Sequence, residues 1–189
     1  GNPLLLSLDV LIEDGLLTES EAIGARPFVA GRVDYESVIA HRQALWPLVL
    51  ARFDASAPAI LDRFDRFCQA QAFWLDDFAL FMAVKDAHGQ VAWIDWEADI
   101  AARDPAAMAR WSRRLQHEIR LYKLTQFLFV DQWRRVRDRC RARSVEILGD
   151  LPIFVAHDSA DVWSRRELFR LDAAGRPTYG AMIARVFES

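Results

Sequence analysis

The sequence predicts an α/β fold in which the chain itself is mostly α-helical, and three observations support this. Apolar residues recur every three or four positions along much of the chain, which is the period of an amphipathic helix. A short apolar run at Val145, Ile147 and Leu148 has the character of a buried parallel strand. Gly149 and Asp150 then form a polar turn, so the order is helix, strand and turn, as in a (β/α)8 barrel.

Length and composition limit what the chain can be. A complete barrel needs about 250 residues, so 189 residues can supply only part of one. The chain does not begin with Met, and we expect it to be an excerpt or a processed form. A net charge of −3 gives no reason to expect a nucleic-acid partner, and no apolar run reaches the ~20 residues of a membrane span. Without a signal peptide, a cytoplasmic location is expected.

The first third of the chain should contain short helical turns and then a long helix. Leu8 begins one expected turn, and Thr18 is the expected cap of another. Asp34 should cap a helix over residues 35–53, which Pro47 is expected to break or kink. The side chains expected to point inward on this helix are Val38, Leu45, Leu48 and Val49.

Two further helices are expected before residue 90. Pro58 is a suitable first-turn residue for an amphipathic helix. Residues 73–85 are apolar almost all round, so we expect a helix buried on most sides, with Gly89 as its C′ residue. Trp93 and Trp96 should lie in a loop or short extended piece.

The clearest helical period begins at Asp104 and Pro105, an N-cap acid followed by a first-turn proline. A helix of this length is expected to bend or break near Arg120. After the strand we expect one helical turn over residues 158–163, a short strand over 168–171 and a turn over 172–177. The apolar stripe of the long helix comprises Met108, Trp111, Leu115, Ile119, Tyr122, Phe129, Trp133, Val136 and Cys140, interrupted only by Gln126.

Four segments, in the same order along the chain, resemble 4-α-glucanotransferases (amylomaltases, or disproportionating enzymes). Residues 1–5 are similar to the Gly-Asn-Pro-Tyr-Leu of this family, with Leu4 in place of tyrosine. The other three segments are residues 74–83, residues 126–129 with Gln132 and Trp133, and the signature segment, residues 149–163. The similarity runs from Gly1 to about Ala181 and therefore covers nearly the whole chain.

The resemblance implies a partial (β/α)8 barrel that carries a large helical insertion. On this reading residues 1–34 form an irregular entry segment, 35–104 the helical insertion, 105–181 the barrel βα portion and 182–189 a divergent tail. The implied activity is transfer of α-1,4-glucan segments between maltodextrins or starch-type glucans by a retaining mechanism, with no cofactor and no metal. The residue that the resemblance implies binds substrate is Asp150, through hydrogen bonds to the sugar at the cleavage site. Judged without the resemblance, Asp150 could equally be a turn aspartate that caps the next segment.

The resemblance also implies that no catalytic residue lies within this chain. Retaining transfer needs two carboxyl groups about 5–5.5 Å apart, one a nucleophile and one an acid/base. In the family both lie downstream of the region matched here, so the isolated chain is predicted to be inactive. After Gly180 the expected Ala-Gly-Val-Pro-Pro-Asp-Tyr-Phe is replaced by an unrelated sequence. A helical binding or interaction module without chemistry is the alternative function.

Several conspicuous residues have simpler structural readings. Asp76 and Asp77 diverge by about 100° on a helix, so we expect each to find a structural partner such as an arginine of the long helix. Metal binding by His157, Asp158 and Asp161 is disfavoured because their spacing fits no well-marked site. The arginines of residues 134–143 should form a solvated helix face. The remaining residues with structural readings are two cysteines expected to be buried free thiols, Cys68 and Cys140, and five tryptophans expected in the core, Trp46, Trp74, Trp111, Trp133 and Trp163.

Overall fold

The computed structural model describes residues 1–24, 31, 33–149, 154–172 and 174–178, and these are mostly α-helical, as predicted. β-Structure among the described residues is limited to one antiparallel bridge between Leu171 and Pro177. Three 3-10 turns cover Pro3–Leu5, Trp93–Asp95 and Arg166–Leu168. The helices are α1 (Leu8–Glu13), α2 (Glu19–Ile23), α3 (Tyr35–Asp54), α4 (Pro58–Ala87), α5 (Ala98–Ala101), α6 (Pro105–Arg114), α7 (Gln116–Arg141) and α8 (Ala160–Ser164).

Side-chain caps begin the helices where the sequence predicts them. The Thr18 hydroxyl accepts from the Glu21 amide while the Glu21 carboxylate accepts from the Thr18 amide, which is a complete capping box. Asp34 caps α3, and the Asp104 carboxylate accepts from two amides at the start of α6. These three predictions are confirmed because a cap depends only on residues within one turn of it.

Pro47 is expected to break or kink α3, but the helix runs through it without a break. Leu45 and Val49 are buried as predicted, whereas Leu48 is exposed and the prediction that it points inward is wrong. Leu48 follows the proline on the outer side of the helix, one residue before Val49.

Helix α4 is one continuous helix of 30 residues rather than two. Its predicted end at Gly89 is confirmed, because the Gly89 amide donates to Asp86 O and the Gln90 amide to Lys85 O, with Gly89 at φ +64°. The prediction that residues 73–85 are buried on most sides holds from Leu75 onward, but Phe73 is exposed.

The expected break in the long helical region occurs at Leu115, between α6 and α7, rather than near Arg120. Leu115 itself is buried, so the stripe of apolar residues continues across the break. Periodicity predicted the buried face correctly here but could not locate the break, because both helices share that face.

The expected strand at residues 145–148 is absent. The Val145 amide already donates to Cys140 O in the turn that ends α7, and the Leu148 side chain is 97% exposed. A strand requires neighbouring strands for its hydrogen bonds, and the described residues supply none to this run. The expected strand at residues 168–171 is likewise reduced to the single bridge at Leu171.

The chain divides into two compact units. Unit 1 comprises Gly1–Ala70 and Lys123–Ile147, and unit 2 comprises Gln71–Tyr122 and Leu148–Ser189. In unit 1, Phe53, Phe64 and Phe127 form a cluster of edge-on rings with centroids 5.3–5.9 Å apart. The predicted segment boundaries at residues 34, 104 and 181 stay a prediction.

The core of unit 2 is rich in tryptophan. Trp111 and Trp163 are buried as predicted. Trp93 and Trp96, which were expected in a loop or short extended piece, are buried as well. Phe81 packs against both Trp96 and Trp163, with ring centroids 5.3 and 5.7 Å apart. The loop carrying Trp93 and Trp96 is therefore part of the core.

Trp133 was predicted to lie in the core, but its side chain is 41% exposed in unit 1. Trp46 is buried as predicted, and Trp74 is half-buried. Periodicity marks the apolar face of a helix without showing whether another element covers it.

Arginines 134–143 are exposed, as expected for a solvated face. Cys68 and Cys140 form no disulfide, as predicted, but they are half-buried rather than buried. Among the described residues no single helix is long and apolar enough to span a membrane, although α3 and α4, bent by 115° to each other, satisfy the criterion of length and composition together.

Candidate functional site

Asp150, the one predicted substrate-binding residue, lies outside the described residues, as do residues 151–153. The structure describes the chain on either side of it. Residues 145–149 are exposed, and Phe154 is exposed as well. From His157 onward, the signature segment is held within unit 2 by a series of side-chain contacts.

His157 is one anchor of the signature segment within unit 2. Its carbonyl accepts from Trp93 Nε1 at 2.9 Å, and the two rings lie 5.3 Å apart. Its Nε2 lies 2.7 Å from Gly175 O; because a carbonyl only accepts, this nitrogen carries the proton. His157 therefore joins the signature segment to the turn after Leu171.

Asp158 is the second anchor. One carboxylate oxygen accepts from the Trp93 amide at 3.3 Å, and the other forms an ion pair with Lys85, whose side chain is 13% exposed. Lys85 lies in the last turn of α4, two residues after the similar segment 74–83. The helix that follows, α8, is capped by Ser159, whose hydroxyl accepts from the Val162 amide at 3.4 Å.

Trp163 ends the signature segment in the centre of unit 2, where it is fully buried. Its Nε1 donates to Ile100 O at 3.2 Å, and the Arg103 guanidinium lies 4.3 Å from the ring centroid. Arg103 also pairs with Asp77 at 2.6 Å. The structural reading of Asp77 is thus confirmed, with its arginine in the turn before α6 rather than on the long helix.

The polar groups of His157 and Asp158 are engaged by partners within unit 2. Among the described residues, no group of three or more His, Cys, Asp or Glu side chains could hold one. Because His157 binds Gly175 and Asp158 binds Lys85 and Trp93, both side chains hold the signature segment in place.

Two other similar segments meet within unit 1. The Gln126 side chain donates from Nε2 to the Gly1 carbonyl at 3.0 Å. The Gln132 side chain accepts from the Ser7 backbone N–H through Oε1 at 2.8 Å and donates to the Ser7 carbonyl through Nε2 at 3.2 Å. Gln126 and Gln132 of α7 therefore bind the backbone of the N-terminal segment, which explains a polar residue in the apolar stripe at position 126.

Sequence reasoning missed the contacts that Lys85 and Trp93 make with His157 and Asp158 of the signature segment. These contacting residues are separated by more than 60 positions, so no local pattern links them. The tryptophan-rich stretch at 93–96 after the Gly89 turn was a usable signal for a buried loop, but it does not reveal the partner.

A family model for 4-alpha-glucanotransferase matches residues 1–182. The 4-alpha-glucanotransferase of Synechocystis sp. is 46% identical over 172 residues, which is 90% of this chain and 34% of that protein. The enzyme of that name from Thermus thermophilus is 37% identical over 187 residues, or 97% of this chain and 36% of the relative.

The fold agrees with that match. The solved structure of amylomaltase from Streptococcus agalactiae in complex with acarbose superimposes with a TM-score of 0.86 at 27% identity, covering 97% of this chain and 40% of that one. Sequence and fold therefore both place this chain in a family of glycosyltransferases. The chain belongs to the 4-alpha-glucanotransferase family and spans about a third of the length of the curated relatives it matches.

Proposed function

We propose that this chain is part of a 4-α-glucanotransferase that transfers α-1,4-glucan segments between maltodextrins. The observation that carries this proposal is the family match over residues 1–182, which includes all four similar segments. The match favours an enzyme over the alternative of a helical binding module. The solved neighbour in complex with acarbose supports a glucan-type ligand for this chain as well.

Within this proposal the chain contributes part of a (β/α)8 barrel and a helical insertion. Residues 145–148 would pair as a strand only when neighbouring strands are present, which accounts for their exposed apolar side chains here. Asp150 would then lie at the C-terminal end of that strand, where barrel enzymes place substrate-binding groups. The proposed location is the cytoplasm.

The proposed reaction is a retaining transfer. A carboxylate nucleophile attacks the anomeric carbon, the acid/base carboxyl protonates the leaving glycosidic oxygen, and a covalent glucosyl-enzyme forms. The 4-hydroxyl of an acceptor sugar, deprotonated by the same acid/base group, then displaces the enzyme. Asp150 would accept hydrogen bonds from sugar hydroxyls, and both reacting carboxyl groups would come from outside this chain.

A chimera tests the proposal. In it, this chain replaces the matched region of the Synechocystis relative, and products from maltotriose are separated by chromatography. We expect glucose and longer maltodextrins from the chimera and none from the isolated chain, since binding cannot replace the covalent step. A folded chimera that forms neither product contradicts the proposal, and so does transfer by the isolated chain.

A further inference from the structure

His88, which directly follows α4, is a largely buried histidine that packs against two tryptophan rings of unit 2. Its side chain is 14% exposed. The imidazole stacks on the Trp96 ring, with the ring centroids 5.4 Å apart and the planes inclined by 23°, and its centroid lies 5.1 Å from that of Trp111. Because an aromatic face attracts a cation, stacking on Trp96 offsets part of the cost of burying a charged imidazole.

Both ring nitrogens of His88 lie against atoms that accept hydrogen bonds. Nδ1 is 2.7 Å from the Val84 carbonyl oxygen, and Nε2 is 2.6 Å from Glu97 Oε2. The hydrogen bond from His88 holds the pKa of Glu97 below its usual range, so the carboxylate is ionised at neutral pH. Since neither a carbonyl nor an ionised carboxylate can donate, each ring nitrogen carries a proton and His88 is an imidazolium in this geometry.

The ion pair formed by this imidazolium closes the loop of residues 88–97. One end of the loop follows α4, and the other end is the residue before α5. The loop contains Trp93, whose indole donates to the His157 carbonyl and whose amide donates to Asp158. The proton on Nε2 of His88 therefore fastens a loop that contacts the signature segment.

Other charged side chains on the elements around His88 have partners of their own or are exposed. Asp99, in α5, adds a negative charge near Glu97 but is paired with Arg110 at 2.8 Å. The Arg114 guanidinium lies 4.8 Å from the centroid of the Trp111 ring. The remaining charged side chains are Lys85 and Asp86, which pair with Asp158 and Tyr122, and the exposed Asp95 and Arg113.

We propose that His88 and Glu97 form a pH-sensitive clasp on the loop of residues 88–97, closed while His88 is protonated and opened when Nε2 loses its proton. Loss of that proton leaves a nitrogen lone pair facing the Glu97 carboxylate, and two acceptors at 2.6 Å repel each other. The Glu97 side chain is 60% exposed, so its carboxylate turns into water when the contact breaks.

The clasp is closed over a limited range of pH. Its contribution to stability is present while His88 is charged and is lost as the pH rises through the range in which histidine side chains lose their charge. On the acid side the contribution is lost as the pH falls from 4.5, because Glu97 then becomes protonated. This behaviour does not depend on the proposed function.

Glu97→Gln tests the clasp, because the amide of glutamine donates to the unprotonated Nε2 and keeps the contact without the second proton. Melting temperatures of the parent chain and of this variant are measured from about pH 5.5 to about pH 9. The matched control is Glu167→Gln, which removes the same charge at an exposed position of unit 2. If Glu97→Gln does not fold, His88→Phe takes its place, since it keeps an aromatic ring but loses both hydrogen bonds.

We expect the melting temperature of the parent to fall by about 2–4 °C relative to that of Glu97→Gln over this range. Glu167→Gln should follow the parent within about 1 °C. With His88→Phe, the advantage of the parent should shrink by the same amount as the pH rises. A difference between the parent and Glu97→Gln that stays constant with pH would overturn the proposal.

Hydrogen exchange measured by NMR distinguishes opening of the loop from a general loss of stability. The amides of Asp95 and Trp96 hydrogen-bond to carbonyls within the loop. Their protection factors should fall about tenfold between about pH 5.5 and about pH 8 in the parent and stay within about twofold in Glu97→Gln. Equal protection at the two pH values in the parent would show that the loop does not open, and would contradict the clasp.

Discussion

The Lys85 ammonium group pairs with the Asp158 carboxylate across 73 residues of sequence. Lys85 lies in the last turn of α4, and Asp158 lies in the signature segment, eight residues after Asp150. Because the Asp158 carboxylate also accepts from the Trp93 amide, one side chain connects three parts of unit 2.

Replacing Asp158 with alanine should destabilise the chain by about 1.5 kcal/mol, the lower end of the range for a hydrogen bond to a charged group, since Asp158 is itself a third exposed. The cost arises because Lys85 loses its partner while remaining largely buried. Urea unfolding measures it. The control is Asp65→Ala, at an exposed position of α4, which should change the free energy of unfolding by less than about 0.5 kcal/mol. Equal stability of the two variants would show that the ion pair contributes nothing.

Two tryptophan replacements should differ strongly. Trp163→Ala removes a fully buried side chain together with its hydrogen bond to Ile100 and its contact with Arg103, and should cost about 3–5 kcal/mol. Trp133→Ala, at an exposed position, should cost less than about 1 kcal/mol in the isolated chain. Urea unfolding followed by circular dichroism compares them. If Trp133→Ala is as destabilising as Trp163→Ala, Trp133 belongs to the core after all.

The pair of tryptophans also shows what could be predicted from the sequence. Features set by neighbouring residues were predicted correctly: the Thr18 capping box, the start of α6 at Asp104 and the end of α4 at Gly89. By contrast, the burial of a residue whose surroundings come from distant segments could not be predicted. The same apolar stripe predicted a buried Trp111 correctly and a buried Trp133 wrongly, because the period of a helix does not report what lies over it.

The candidate site was predicted only as far as the resemblance extends. The strand at residues 145–148 failed because hydrogen bonds to neighbouring strands, rather than the β-propensity of Val145 or Ile147, decide whether a strand forms. Lys85 and Trp93 were missed since their contacts with the signature segment span more than 60 residues. The substrate-binding role of Asp150 stays a prediction.

Stability at low pH should depend on Glu21. Hydrogen bonds from Arg52, and then from Thr18, lower the pKa of Glu21 from 4.5 to about 2. A lowered pKa means that this carboxylate stabilises the fold fully above pH 4.5 and that its contribution is lost as the pH falls from 4.5 toward 2. The difference in melting temperature between the parent chain and Glu21→Gln should therefore be constant above about pH 5 and shrink toward pH 2. A difference that does not change with pH would show that the Arg52 pair does not act through the charge of Glu21.

The most direct test of the account is the activity of Asp150→Ala in the chimera. Losing a hydrogen bond that a sugar hydroxyl donates to the charged Asp150 carboxylate should lower kcat/KM by about tenfold to a hundredfold. The melting temperature should change little. The matched control is Asp77→Ala, which removes the partner of Arg103 and should lower the melting temperature with near-normal transfer by the protein that remains folded. If Asp150→Ala transfers glucan from maltotriose as fast as the unmodified chimera, Asp150 is not the substrate-binding residue.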